Sequence, residues 1–218
     1  MRGGRITLAQ RKAITELMPR YGLELGEIEV TTKALSTDFQ INLEVGFGNG
    51  ENLLHMAEQN PRQIFIGCEV HRPGIGHALL EITKRDIRNV IIVDGDAIDF
   101  MTRCFRSSLN CVYVFFPDPW PKKKHHKRRL INSEYLNLLG HAFHDFGRLY
   151  FATDVESYFQ EVLGLVEAMR GWKSLSSPSL IPPRFRKRLI TRFERKALES
   201  GNRIFELSAV YKRANNGR

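Results

Sequence analysis

No stretch of this 218-residue chain stays apolar for more than six residues, Cys111 to Phe116, far short of the ~20 that a membrane-spanning helix needs. Residues 1–20 hold no apolar core of the kind an export signal carries, so a cytoplasmic location is expected. Cysteine is scarce. Cys68, Cys104 and Cys111 are an odd number without metal-ligand spacing, which fits a reducing compartment better than a disulfide framework. His55 and His71 lack partners at metal spacing and read as ordinary histidines, so no metal is expected. What the chain holds in excess is positive charge: 33 Lys and Arg against 24 Asp and Glu, a net +9. That favours a polyanionic partner without specifying an activity. An apolar fraction of 42% suffices for a sizeable core and excludes disorder as the main state. One domain over residues 1–218 is expected, with 1–25 as an N-terminal arm and helix.

From residue 41 onward, short apolar runs each stop at an acidic residue: Ile41 to Glu44, Ile64 to Glu69, Val90 to Asp96 and Cys111 to Asp118. The carboxylates fall 25, 27 and 22 residues apart, with helical patterning between them over Asn52–Gln59, Gly76–Asp86 and Ala97–Arg106. Strands and helices alternating at this spacing predict an α/β fold, a doubly wound and mostly parallel sheet covered on both faces. A fifth unit pairs a strand at Arg148–Thr153 with an amphipathic helix carrying Tyr158, Val162, Val166 and Met169. Short strands at Trp172–Leu175 and Arg203–Tyr211 then predict an antiparallel pair at one sheet edge, for seven strands in all. Thr7 and Gln10 predict a capping box for a helix through Met18, ending near Gly22.

The first strand runs into Glu44-Val45-Gly46-Phe47-Gly48-Asn49-Gly50. Glycine-rich turns of this kind also serve dinucleotides, but the third glycine of G-x-G-x-x-G is replaced by Glu51. A carboxylate there, with Glu44 before the loop, repels a pyrophosphate and suits a cation. S-adenosylmethionine meets that demand, with an ammonium, a sulfonium and a ribose diol. In a parallel sheet ligands lie beyond the carboxyl ends of the strands, where Glu44, Glu69, Asp96 and Asp118 all fall. Glu44 is assigned to the methionine end, Glu69 to the ribose diol, Asp96 with the Ala97 backbone to the adenine, and Asp118 to the transferred methyl. Singly, each acid could equally be a helix cap or a turn former, and Asp94 reads as a turn residue.

Phe116-Pro117-Asp118-Pro119-Trp120-Pro121 follows the fourth strand. Its prolines hold Asp118 rigidly, and Trp120 offers a flat surface to a base; alternatively the prolines only end the strand and Trp120 only packs. Eight residues then carry six permanent positive charges and no acid: Lys122, Lys123, Lys124, His125, His126, Lys127, Arg128 and Arg129. At the mouth of a cofactor pocket such a run would hold a phosphate backbone, although alone it could be a solvated segment. A second basic cluster, Arg184-Phe185-Arg186-Lys187-Arg188, leads into Thr191-Arg192-Phe193-Glu194. Thr191 and Glu194 form a further potential capping box, and Glu194 could instead accept hydrogen bonds from a guanine edge.

Over about residues 5–213 the chain resembles the bacterial tRNA (guanine-N7)-methyltransferases. The resemblance rests on EVGFGNG (44–50), EVHRPGIG (69–76), the Asp96 strand end, FPDPWPKKKHHKRR (116–129), ATD (152–154) and TRFE (191–194). It implies S-adenosylmethionine as cofactor and methyl transfer to N7 of the guanosine at position 46 in the tRNA variable loop. It also implies Glu44, Gly46, Gly48, Gly50, Glu69, Asp96, Ala97 and Asp118 at the cofactor, with Asp118 catalytic. Lys122, Asp154 and Thr191 to Glu194 match the family's substrate contacts, and Lys124, His125, His126, Lys127, Arg128 and Arg129 its RNA-contacting run. Cys68 departs from a position usually aliphatic in the family. A monomer is expected, with a homodimer the alternative. Other readings are a methyltransferase for another RNA guanine or for a small aromatic molecule, a non-catalytic RNA-binding module and, on the electrostatics at Glu51 least favoured, a dinucleotide-dependent dehydrogenase.

Overall fold

The computed structural model describes residues 5–175 and 189–213. Its strands are β1 (Gln40–Val45), β2 (Gln63–Glu69), β3 (Val90–Asp94), β4 (Leu109–Phe115), β5 (Phe143–Thr153), β6 (Trp172–Ser174) and β7 (Phe205–Tyr211). They form one sheet in the order β3-β2-β1-β4-β5-β7-β6. The first five run parallel, and β7 inserts antiparallel between β5 and β6. The expected edge pair is therefore present, and the strand order reverses between β1 and β4.

The helices are α1 (Leu8–Tyr21), α2 (Ile28–Asp38), α3 (Glu51–Gln59), α4 (Arg72–Lys84), α5 (Ala97–Arg103), α6 (Ser133–Ala142), α7 (Glu156–Ala168) and α8 (Arg192–Glu199). They cover both sheet faces because alternate strand residues point opposite ways. Leu43, Val112 and Leu149 share one core with Phe100 of α5, Leu136 of α6 and Val162 of α7. Phe65, Tyr113 and Tyr150 share the other with Ile14 of α1, Leu53 of α3 and Leu79 of α4.

Several boundaries depart from the sequence reading, β5 for instance beginning at Phe143 and not Arg148, and three of them have a clear local reason. Helix α4 starts at Arg72, not Gly76, because Pro73 in its first turn has φ already set and no N–H to leave unpaired. Strand β4 stops at Phe115, not Asp118, because Phe116 turns to φ +51° and Pro117 cannot donate to a ladder. Strand β3 stops at Asp94, since Asp96 is the cap of α5. Both halves of the Thr7–Gln10 capping box form. The helix that follows packs into the body of the protein. Ala13 and Ile14 are buried, and Gly22 bridges to Ile92 of β3.

Candidate active site at the carboxyl edge of the sheet

Register places the strand ends level. Val45 pairs with both Cys68 and Val114, Val114 with Phe151, and Glu69 with Asp94. The acids at and after the ends of the parallel strands therefore lie at one edge, with Glu44 in β1 and Asp118 three residues beyond β4, the two strands where the order reverses. Open α/β sheets bind their ligands at that crevice.

The loop after β1 turns through Gly46, Gly48 and Gly50, with φ of +68°, +59° and +81°. Where Gly46 and Gly48 would carry a Cβ there is open space, so their backbone can be approached closely. The loop is held from below by Glu69. Its Oε2 accepts from Gly48 N at 2.8 Å, and its Oε1 accepts from Val70 N and His71 N, both at 2.8 Å. Gly74 backs the same loop, and a Cβ there would lie 2.1 Å from the Gly48 carbonyl oxygen. Glu69 thus has a structural role within the protein itself. Of roughly four lone-pair sites on a carboxylate, one holds the glycine loop at Gly48 and two hold the turn after β2 at Val70 and His71.

Glu44 is buried, and its Oε2 accepts from Asn52 Nδ2 at 3.2 Å. Asn52 lies on the buried side of α3, and its Oδ1 has no hydrogen-bond partner among the described residues. An unmatched acceptor beside a carboxylate is complementary to an ammonium. With the acids around the loop and the room at Gly46 and Gly48, the residues fit S-adenosylmethionine. Asp96 is exposed and caps α5 by accepting from Ile98 N at 2.7 Å; Ala97 behind it is buried. Asp94 pairs with Arg72 at 3.6 Å. Cys68 is buried at the end of β2, and burial first, then Cys104, Asp96 and Glu69, raise its thiol pKa. It stays a neutral, inert filler of an aliphatic position.

Asp118 is exposed and makes no hydrogen bond or ion pair among the described residues. The segment carrying it is bent at both sides: Phe116 has φ +51° and Trp120 φ +43°, conformations that cost ~1–3 kcal/mol each for residues with side chains. Phe116 N donates to Ala152 O of β5 at 2.8 Å. Trp120 is not a bare platform, since the Arg128 guanidinium lies 4.9 Å from its ring centre and His125 meets it edge-on at 5.9 Å.

The basic run folds into a 3-10 turn, Lys123–Arg128. Lys122, Lys123, Lys124, Lys127 and Arg128 are exposed, and His125 and His126 are half-buried. Arg129 departs from the expectation for the run. It is 2% exposed and turned inward, its guanidinium donating to the Pro119 carbonyl and to Glu161 and Ser157 of α7. A guanidinium enclosed in this way has no face for a phosphate.

Asp154 follows β5 on the same edge and accepts from Asn202 Nδ2 at 3.1 Å. Because β7 is antiparallel to β5, its first residue, Phe205, pairs with Thr153, and the chain leaving α8 arrives beside Asp154. Thr191 caps α8, accepting from Glu194 N at 3.2 Å. Arg192 and Phe193 are exposed, whereas Glu194 is 8% exposed, so helix capping and an inward-facing acid coexist in this motif. The Arg184–Arg188 cluster lies outside the described residues. Asn52 and Asn202 went unread in the sequence. Asn52 at least left a signal, a polar residue on the apolar side of an amphipathic helix.

Residues 38–207 match a family model described as "Putative methyltransferase". A tRNA (guanine-N(7)-)-methyltransferase of Nitrosococcus oceani is 38% identical over 208 residues, 94% of this chain and 86% of that protein. The chain belongs to the tRNA (guanine-N7)-methyltransferase family. A second relative of that name, from Marinobacter nauticus, is 40% identical over 210 residues, 95% of this chain and 88% of its own length. Among solved structures, a 16S rRNA (adenine(1408)-N(1))-methyltransferase from Catenulisporales acidiphilia, with its cosubstrate, superposes with a TM-score of 0.56. It covers 90% of this chain and 95% of its own at 15% identity, a likeness of fold. The seven-stranded α/β architecture of this family member is thus that of other methyltransferases.

Proposed function

We propose that this family member transfers the methyl group of S-adenosylmethionine to N7 of guanosine 46 in the variable loop of tRNA. The observation that carries the reading is the continuity of two sites. The acid-lined edge at the strand-order reversal runs through Asp118 directly into an exposed turn of lysines and arginine. Glu44, Gly46, Gly48, Gly50, Glu69, Asp96, Ala97 and Asp118 hold the cofactor, which supplies an electrophilic methyl group on a sulfonium. N7 of guanine has an available lone pair, so no side chain must first remove a proton, and the chief demand on the protein is orientation. Asp118 faces the purine as it becomes cationic and stabilises that charge. Lys122, Asp154, Thr191, Arg192, Phe193 and Glu194 position the guanine, while Lys124, His125, His126, Lys127 and Arg128 hold the phosphate backbone. The protein works as a monomer in the cytoplasm. No helix among the described residues is long and apolar enough to cross a membrane.

The test is transfer of labelled methyl to unmodified tRNA transcripts carrying G or A at position 46, with aniline cleavage to map the product. Label that depends on that G, with cleavage there, supports the reading, and label elsewhere in the RNA refutes the assigned target. Replacing Lys123, Lys124, Lys127 and Arg128 together by alanine should weaken tRNA binding. It should also flatten the dependence of log K on log salt by about 0.7–0.9 per lost phosphate contact. Filter binding at several salt concentrations measures both, and an unchanged slope would remove the turn from the RNA interface.

A further inference from the structure

The geometry points to Arg129 as a positioning residue that clamps the Asp118 segment to α7, and not as the last member of the RNA-contacting run; the inference rests on the methyltransfer reading above. Arg129 Nε donates to the Pro119 carbonyl at 3.0 Å. The same guanidinium donates to the Ser157 carbonyl at 3.5 Å, to Ser157 Oγ at 3.3 Å and to the Glu161 carboxylate, and it lies 4.6 Å over the Tyr158 ring. The Tyr158 hydroxyl accepts from Ile131 N at 3.0 Å, so both sides of the clamp are anchored in α7. Burial pushes the Tyr158 phenol up to about 12, and it remains a neutral hydroxyl.

The position of that carbonyl matters. Pro119 is the residue after Asp118 and the residue before Trp120, whose φ is +43°. Backbone held in such a region persists only where the surroundings over-determine it. Phe116 N on Ala152 O secures the bend before Asp118, and Arg129 on Pro119 O secures the bend after it. Glu161 also lies 4.0 Å from His126 Nδ1, so the carboxylate that holds Arg129 sits beside the basic turn as well.

Lysine separates the two roles. It binds phosphate as a point charge, but it cannot reproduce the fork that reaches Pro119, Ser157 and Glu161 at once. The chain has two tryptophans, so in a Trp172→Phe background the emission of Trp120 alone reports on the segment without any methyl transfer. Arg129→Lys and Arg129→Met are both expected to raise acrylamide quenching of Trp120 and to lower kcat about 100-fold. KM for tRNA and the salt slope of binding should stay unchanged. Wild-type kcat in Arg129→Lys, unchanged quenching, or a slope shallower by about 0.7–0.9 in Arg129→Met would each overturn the clamp. If Arg129→Met does not fold, Ser157→Ala combined with Glu161→Gln must raise Trp120 quenching, and its failure to do so counts equally against the proposal. Should the unaltered protein transfer no methyl to tRNA, the functional reading fails, and the quenching comparison still decides the clamp.

Discussion

Asp118→Asn is expected to fold as the unaltered protein does and to methylate tRNA with kcat lower by on the order of 10²-fold, the usual cost of removing one group that stabilises transition-state charge. Folding is spared because Asp118 is exposed and makes no hydrogen bond or ion pair among the described residues, and because asparagine has nearly the same shape. Turnover is not spared. The purine gains positive charge as the methyl arrives, and a carboxamide offers it a dipole in place of a full negative charge. If the exposed turn carries tRNA binding as proposed, affinity for tRNA should change little. Single-turnover kinetics with labelled cofactor, beside a thermal melt, measures both quantities. Turnover within a few-fold of normal would take Asp118 out of the mechanism.

Glu69→Gln should be the more damaging change to cofactor binding. The carboxylate meets three N–H donors with oxygens alone. A carboxamide has one oxygen and one NH2, so whichever way it lies, a donor faces a donor. The less costly orientation keeps the oxygen on Val70 and His71 and sets the NH2 against Gly48, releasing the glycine loop. Leaving a partly buried donor unmatched costs up to ~1–3 kcal/mol, which predicts S-adenosylmethionine affinity reduced roughly 10- to 100-fold in calorimetry. Because the bond exists within the protein itself, the melting temperature should fall too, by ~2–4 °C per kcal/mol for a chain of this size. A loss of affinity at an unchanged melting temperature would assign Glu69 to the ligand alone.

Most of the sheet was legible because the parallel strands contain short apolar runs closed by an acid, and helix-forming stretches separate most of these runs at regular spacing. Helix α2 was not legible. Its residues 28–38 carry three threonines and two β-branched aliphatics, weak helix formers, and it buries chiefly Ile28 and Thr32, one turn apart. It is secured by a distant contact, the Thr32 hydroxyl accepting from Phe105 N at 2.9 Å. Helix α6 also went unread, although Asn132 capping Tyr135 ahead of Leu136 and Leu139 left a signal for it.

Local pattern by itself determined the α/β class, the antiparallel edge pair, the glycine loop and the row of strand-end acids, since periodicity and turn chemistry act within a few residues. Tertiary structure alone decided what several of those side chains face. Glu69 reaches 21 residues back to Gly48, and Arg129 reaches 28 and 32 residues forward to Ser157 and Glu161. One charged residue therefore became the brace of a loop and another a buried clamp. Burial of a charge depends on partners that converge only when the chain has folded, and six cations within eight residues look alike until the fold encloses one of them.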